Sequence, residues 1–167
     1  MHEGAMHVLV LYETRRGFTL TVARRIRDEI RARGHLATAS PIRGVDAGTV
    51  AAADALIVGS WTRGYILVRV GPAAGAIEGI EALPPLEGRP SAVFCTCDVA
   101  PLGTLDELAR RLERAGARVL VAHAFRRRRS LAQVPAYVDL CLAEFERALA
   151  AGDRPAAAPV EPVLPGR

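Results

Sequence analysis

His7-Val8-Leu9-Val10-Leu11-Tyr12, followed by Glu13-Thr14-Arg15-Arg16-Gly17-Phe18-Thr19, is the stretch on which the fold turns. The first six residues are mostly apolar and lack strict polar alternation, the pattern of a strand covered on both faces. From Leu20 the period changes. Leu20, Ala23, Ile26 and Ile30 share one helical face, while Arg24, Arg27, Asp28 and Arg31 take the rest. Gly34 is a natural stop for that helix. A buried strand that passes into an amphipathic helix through a short polar turn opens a βαβ unit.

The same alternation continues outward. Leu36–Ser40, Ala55–Gly59, Ser91–Thr96 and Arg118–His123 read as four further strands. Thr104–Ala115 is helical, with Leu105, Leu108 and Leu112 as its apolar stripe and Asp106–Arg110 and Glu107–Arg111 as acid-before-base pairs. Pro135–Leu149 is helical through Val138, Leu142, Phe145 and Leu149. Asp46–Ala53 and Pro72–Leu83 fill the remaining connections as short helices, the second weakened by Gly75 and Gly79. Parallel strands need crossovers, and right-handed crossovers wind the helices onto both faces of one sheet. The expectation is a three-layer, doubly wound α/β domain over residues 7–149. Residues 1–6 precede it as an extension, and a Pro/Ala-rich flexible tail follows over 150–167.

Composition bounds the class. Of 167 residues, 50% are hydrophobic and 24% charged, which fits one folded domain and excludes a wholly disordered chain. Three cysteines make no disulfide framework, and the first residues lack the basic-then-apolar form of a signal peptide, so a cytoplasmic location is expected. No apolar run approaches the roughly 20 residues of a membrane span. The net charge is +4, and all 22 basic residues are arginine.

Ligands of doubly wound domains sit beyond the carboxyl ends of the strands. Three loops lie there. In the first, Thr14, Arg15, Arg16, Gly17, Phe18 and Thr19 lead into a helix start, whose free N–H groups and dipole favour an anion. Hydroxyl, guanidinium and glycine residues make this turn a candidate phosphate cradle, though it is neither Gly-x-Gly-x-x-Gly nor a Walker loop. The second loop holds Ser60, Trp61, Thr62, Arg63 and Gly64, including the only tryptophan. A planar ligand can stack on an indole or a guanidinium. The third holds Cys95, Thr96, Cys97 and Asp98. Cys95 and Cys97 are two apart and so share one side of a strand, but no further Cys or His lies near to complete a metal site.

Taken together, the loops resemble those of the flavodoxins over about residues 7–149. The flavodoxin phosphate loop, Thr/Ser-x-Thr-Gly-x-Thr, stands here as Thr14-Arg15-Arg16-Gly17-Phe18-Thr19. Gly-x-x-Thr-aromatic-Gly stands as Gly59-Ser60-Trp61-Thr62-Arg63-Gly64, and Phe-Gly-x-Gly-Asp as Phe94-Cys95-Thr96-Cys97-Asp98. The resemblance implies a flavodoxin-like five-stranded parallel sheet in order 2-1-3-4-5. It implies flavin mononucleotide (FMN) as ligand, its phosphate on the first loop and its ring flanked by the other two. Gly64 matches the glycine whose peptide reorients towards flavin N5. Arg16, Phe18, Arg63, Cys95 and Cys97 depart from the pattern, and the second stacking tyrosine has no counterpart in Val99-Ala100-Pro101.

Two readings follow: an FMN protein acting as electron carrier or small flavin-dependent oxidoreductase, or a flavodoxin-fold binding or regulatory module that takes another anion or a protein. Electron-carrier flavodoxins are acidic, whereas this chain is basic. One cation about 10 Å from the ring, at an effective dielectric of about 40, favours an added electron by roughly 0.8 kcal/mol, on the order of 35 mV. Arg15, Arg16 and Arg63 therefore point to a raised potential and an acidic redox partner. Arg126-Arg127-Arg128-Arg129 follows the last strand without interleaved aromatics or a nucleic-acid motif, so nucleic acid is not the expected partner. A hydrolase is disfavoured, as there is no Gly-x-Ser-x-Gly elbow.

Overall fold

The computed structural model describes residues 4–65 and 68–152. The chain runs β1 (His7–Glu13), α1 (Phe18–Ala32), β2 (Leu36–Pro41), α2 (Ala47–Ala51), β3 (Ala55–Tyr65), β4 (Val68–Pro72), α3 (Ala74–Glu81), β5 (Pro90–Cys97), α4 (Thr104–Arg114), β6 (Arg118–Arg126) and α5 (Ser130–Ala150). Five strands are parallel in the order β2-β1-β3-β5-β6, and β4 pairs antiparallel with β3. Numbered among themselves, the parallel strands have the order 2-1-3-4-5 that the sequence led us to expect.

Alternate residues of the central strands enter opposite layers. Val8, Val10, Ile57 and Phe94 pack with Val22, Ile26 and Ile30 of α1 and with Tyr137, Cys141 and Phe145 of α5. Leu9, Leu11, Leu56, Val58 and Val93 pack on the other side with Val50, Ile80, Leu108 and Leu112. Both faces being dry, these strands carry no polar alternation. Each fully buried Leu, Ile or Phe contributes about 1.5–3 kcal/mol of hydrophobic stabilisation. Met6 also joins the first layer, and its N–H donates to His35 Nδ1.

Three expectations need correction. Gly59–Tyr65 is not a loop: β3 continues through it and pairs with β4, Thr62 opposite Pro72 and Arg63 opposite Gly71. The Ser60 hydroxyl secures this extension, accepting the N–H of Ala73 at 3.0 Å and donating to the carbonyl of Trp61. The helix expected over Pro72–Leu83 is accordingly confined to Ala74–Glu81. The last helix starts at Ser130, not Pro135. Pro135 is its sixth residue, and the helix forgoes one backbone hydrogen bond there. The sequence tail beyond residue 152 lies outside the described residues.

Candidate functional site

The first loop leaves β1 beside β3, at the point where the strand order reverses. Gly17 caps α1 at φ 89°, a conformation costly for any residue with a Cβ. Its N–H donates to Thr14 Oγ1 at 3.1 Å, and its carbonyl accepts both the N–H and the hydroxyl of Thr21. No side chain caps the helix and its first turn carries no acid. The positive end of α1 is thus left to other groups, with Arg15 and Arg16 exposed beside it. Thr19 turns inward instead. It is buried, and its hydroxyl shares a 2.8 Å hydrogen bond with that of Thr96.

Two guanidiniums cover two aromatic rings here. Arg15 lies 5.4 Å from the centroid of Trp61, and Arg127 lies 5.6 Å from that of Phe18. Trp61 packs against the second core layer, so one part of its ring is anchored in the fold. Arg63 is exposed at the hairpin, and Gly64 lies in the β3 extension. The Thr62 hydroxyl is buried beside the Cys95 thiol.

The third loop begins where β5 ends. Thr96 faces α1 through Thr19, while Cys95 and Cys97 face each other on the opposite side. Hydrogen bonding from Cys95, helped by the Arg126 guanidinium, holds the Cys97 thiol below its ordinary range against the opposing effect of burial. The bond to Cys97, together with burial, pushes Cys95 far up. The N–H of Arg127 donates to the Cys97 carbonyl at 3.1 Å, and its guanidinium stands 3.9 Å from Asp98. Asp98, Val99, Arg126, Arg127 and Arg128 line an open cleft of about 540 Å³.

This arrangement predicts selective thiol chemistry. All three thiols are buried, and Cys97, at 7% exposure and with the lowered pKa, is expected to react with iodoacetamide ahead of Cys95 and Cys141 in the folded chain, a phase that Cys97→Ser should remove. Simultaneous reaction of all three thiols, or none before denaturation, would contradict it.

The structure therefore brings Thr14, Arg15, Arg16, Gly17, Phe18 and Trp61 to one end of the sheet, but spends the Thr19–Thr96 hydroxyl pair inside it. Arg127 was missed as a member of the site. Its contact with Phe18 spans most of the chain, and the only signal was the arginine run at the end of the last strand.

These loops sit on a scaffold shared with solved proteins. The match to two-electron reduced flavodoxin from Megasphaera elsdenii covers 79% of this chain and 98% of that one, at TM-score 0.65 and 19% identity. The fold is flavodoxin-like. Oxidised flavodoxin 2 from Bacillus cereus matches at TM-score 0.67 and 19% identity, over 83% of this chain and 99% of its own. Rubredoxin oxygen:oxidoreductase from Desulfovibrio gigas matches at TM-score 0.71 and 16% identity, over 86% of this chain and 37% of that chain. No protein-family model matches the sequence, and no curated protein does. No helix among the described residues is long and apolar enough to cross a membrane.

Proposed function

We propose that this flavodoxin-like chain binds FMN at the carboxyl ends of β1, β3 and β5 and acts as an electron carrier or small flavin-dependent redox protein. The observation that carries the reading is the α1 start. An αL glycine, an uncapped first turn and two exposed arginines stand together at the reversal of strand order. These groups fit a phosphate monoester. The Thr14 hydroxyl fixes the turn through Gly17, and Arg15 and Arg16 supply charge. Trp61 would offer a ring face to the heterocycle once Arg15 moves off it. Bound flavin would supply the electron chemistry. The protein's part is to hold, orient and bias it, and Arg15, Arg16 and Arg63 bias it towards the reduced, anionic form.

Titration of the purified apoprotein tests this. FMN is expected to bind with quenched fluorescence, and riboflavin, which lacks the phosphate, about 100-fold more weakly, equivalent to about 2.7 kcal/mol. Equal affinity for the two would remove the loop assignment, and no binding of either would remove the flavin.

A second reading has its own observation. Both aromatic faces at the site are covered by the chain's own guanidiniums, as a binding module without flavin would have them. Failure of both the unmodified chain and Arg15→Ala to bind flavin would favour it, and flavin binding by the unmodified chain would remove it.

A further inference from the structure

The arginine run occupies the carboxyl edge of the sheet, where β6 ends at Arg126 and α5 begins at Ser130. All four guanidinium residues are exposed. Among the described residues, one carboxylate reaches them: Asp98, 80% exposed and 3.9 Å from Arg127. A pair that long and that open is strongly screened. Arg126, Arg128 and Arg129 have no carboxylate partner among the described residues. Four adjacent cations repel one another, and an external anion relieves them.

Exposed apolar residues occupy the segments that flank this edge. Of the five large apolar residues exposed among the described residues, Val99, Leu102 and Leu131 belong here. Val99 lines the cleft with Arg126, Arg127 and Arg128, Leu102 lies in the same loop, and Leu131 follows the arginine run. Leu102 has φ +34° immediately before Gly103 at φ +83°. A leucine is strained in that conformation, and burial does not compensate, since the side chain is half exposed. Exposed apolar residues in the segments that border a cation-lined open cleft are what a protein interface with a charge preference presents. Aliphatic side chains give bases no stacking platform, which disfavours single-stranded nucleic acid.

We infer that Val99, Leu102, Leu131 and the Arg126–Arg129 run form a docking surface for an acidic electron-carrier protein. The acidic character follows from the unpaired guanidiniums. The electron-carrier character rests on the FMN reading above, because the surface adjoins the ends of β5 and β6 next to the proposed flavin site. The polarity is opposite to that of an acidic carrier docking on a basic enzyme.

The test uses the full chain and, as probe, an acidic [2Fe–2S] ferredoxin, with binding followed by calorimetry at 20 mM and 300 mM salt. Binding in the micromolar range is expected at low salt, at least 10-fold weaker at high salt. Arg126→Glu with Arg128→Glu should weaken it at least 10-fold at low salt. Val99→Ser should weaken it about threefold at both salt concentrations. Thermal melts of the variants check that they are folded. No ferredoxin binding by the unmodified chain, unchanged affinity in the charge-reversed variant, or tighter binding of a 20-nucleotide DNA would overturn the proposal. FMN titration of the same samples separates the two claims. Ferredoxin binding with this variant pattern but without flavin binding would leave the surface standing and remove the reading of the flavin site.

Discussion

Gly59→Ala is expected to destabilise the protein by about 3 kcal/mol, lowering the urea midpoint and shifting Tm downward by several degrees. Gly59 pairs with Phe94 across β3 and β5, and a Cβ at Gly59 would stand only 2.0–2.4 Å from three atoms of the Phe94 ring. The ring has nowhere to go. Phe94 is fully buried and makes edge contacts with Phe125 at 5.8 Å and Tyr137 at 6.4 Å. Relief must come from the β3 backbone, and Ser60 and Trp61 follow directly. The same substitution should therefore also disturb the hairpin anchor between Ser60 and Ala73. A double variant separates this clash from a general intolerance of β3. Phe94→Leu alone loses packing, but in Phe94→Leu/Gly59→Ala the smaller side chain makes room. The pair should be less destabilised than the sum of the singles by at least about 1 kcal/mol. Strict additivity would show that Phe94 is not what excludes a side chain at Gly59.

The example shows which parts of the molecule were legible in sequence. The buried strands were, because dryness on both faces leaves runs such as Val8–Leu11 and Ala92–Phe94 without a polar residue. The α1 boundary was, because Gly17 and Gly34 both sit at positive φ where the chain must turn. The β3–β4 hairpin was not. The sequence between Tyr65 and its partner Val68 is Ile66-Leu67 rather than Asn-Gly or Asp-Gly, and what holds the pairing, the Ser60 hydroxyl bound to Ala73, is a contact thirteen residues long. The start of α5 was hidden by Pro135, which reads as a first-turn residue yet sits deeper in the helix. Within the site, the hydroxyls and guanidiniums of the first loop were readable as types but not as directions. Thr19 resembles a phosphate donor in sequence, and only the strand beside it, contributing Thr96, reveals that its hydroxyl is held in the core. The stacks of Arg15 on Trp61 and Arg127 on Phe18 likewise depend on tertiary placement.

Raising the pH from 9 to 11 is expected to remove several kcal/mol of stability, a large share of what a domain of ordinary stability has. Three protons are responsible. Tyr137 is buried and donates its hydroxyl hydrogen to the Val93 carbonyl at 3.1 Å, and burial pushes its phenol well above the usual range. Burial likewise pushes the Cys141 thiol up to about 12. Cys95 is raised by its bond to Cys97 and by burial. The unfolded chain releases these protons at ordinary thiol and phenol pKa values, while the folded chain keeps them. Each group's contribution is thus fully present below its unfolded pKa and declines by about 1.4 kcal/mol per pH unit as pH rises towards the folded one. Cys97 has the opposite sign. Its depressed pKa contributes stability above the ordinary thiol value, loses it as pH falls through the folded value, and is constant above pH 9. Urea midpoints followed by circular dichroism at pH 8, 9, 10 and 11, with reductant present, read this directly. Cys141→Ala should flatten the decline by one proton, about 1.4 kcal/mol per pH unit above pH 9, after a smaller fixed loss for the missing sulfur. A profile that stays level to pH 11 would mean that these groups titrate normally in the folded chain, with solvent reaching the Phe94–Tyr137–Cys141 layer.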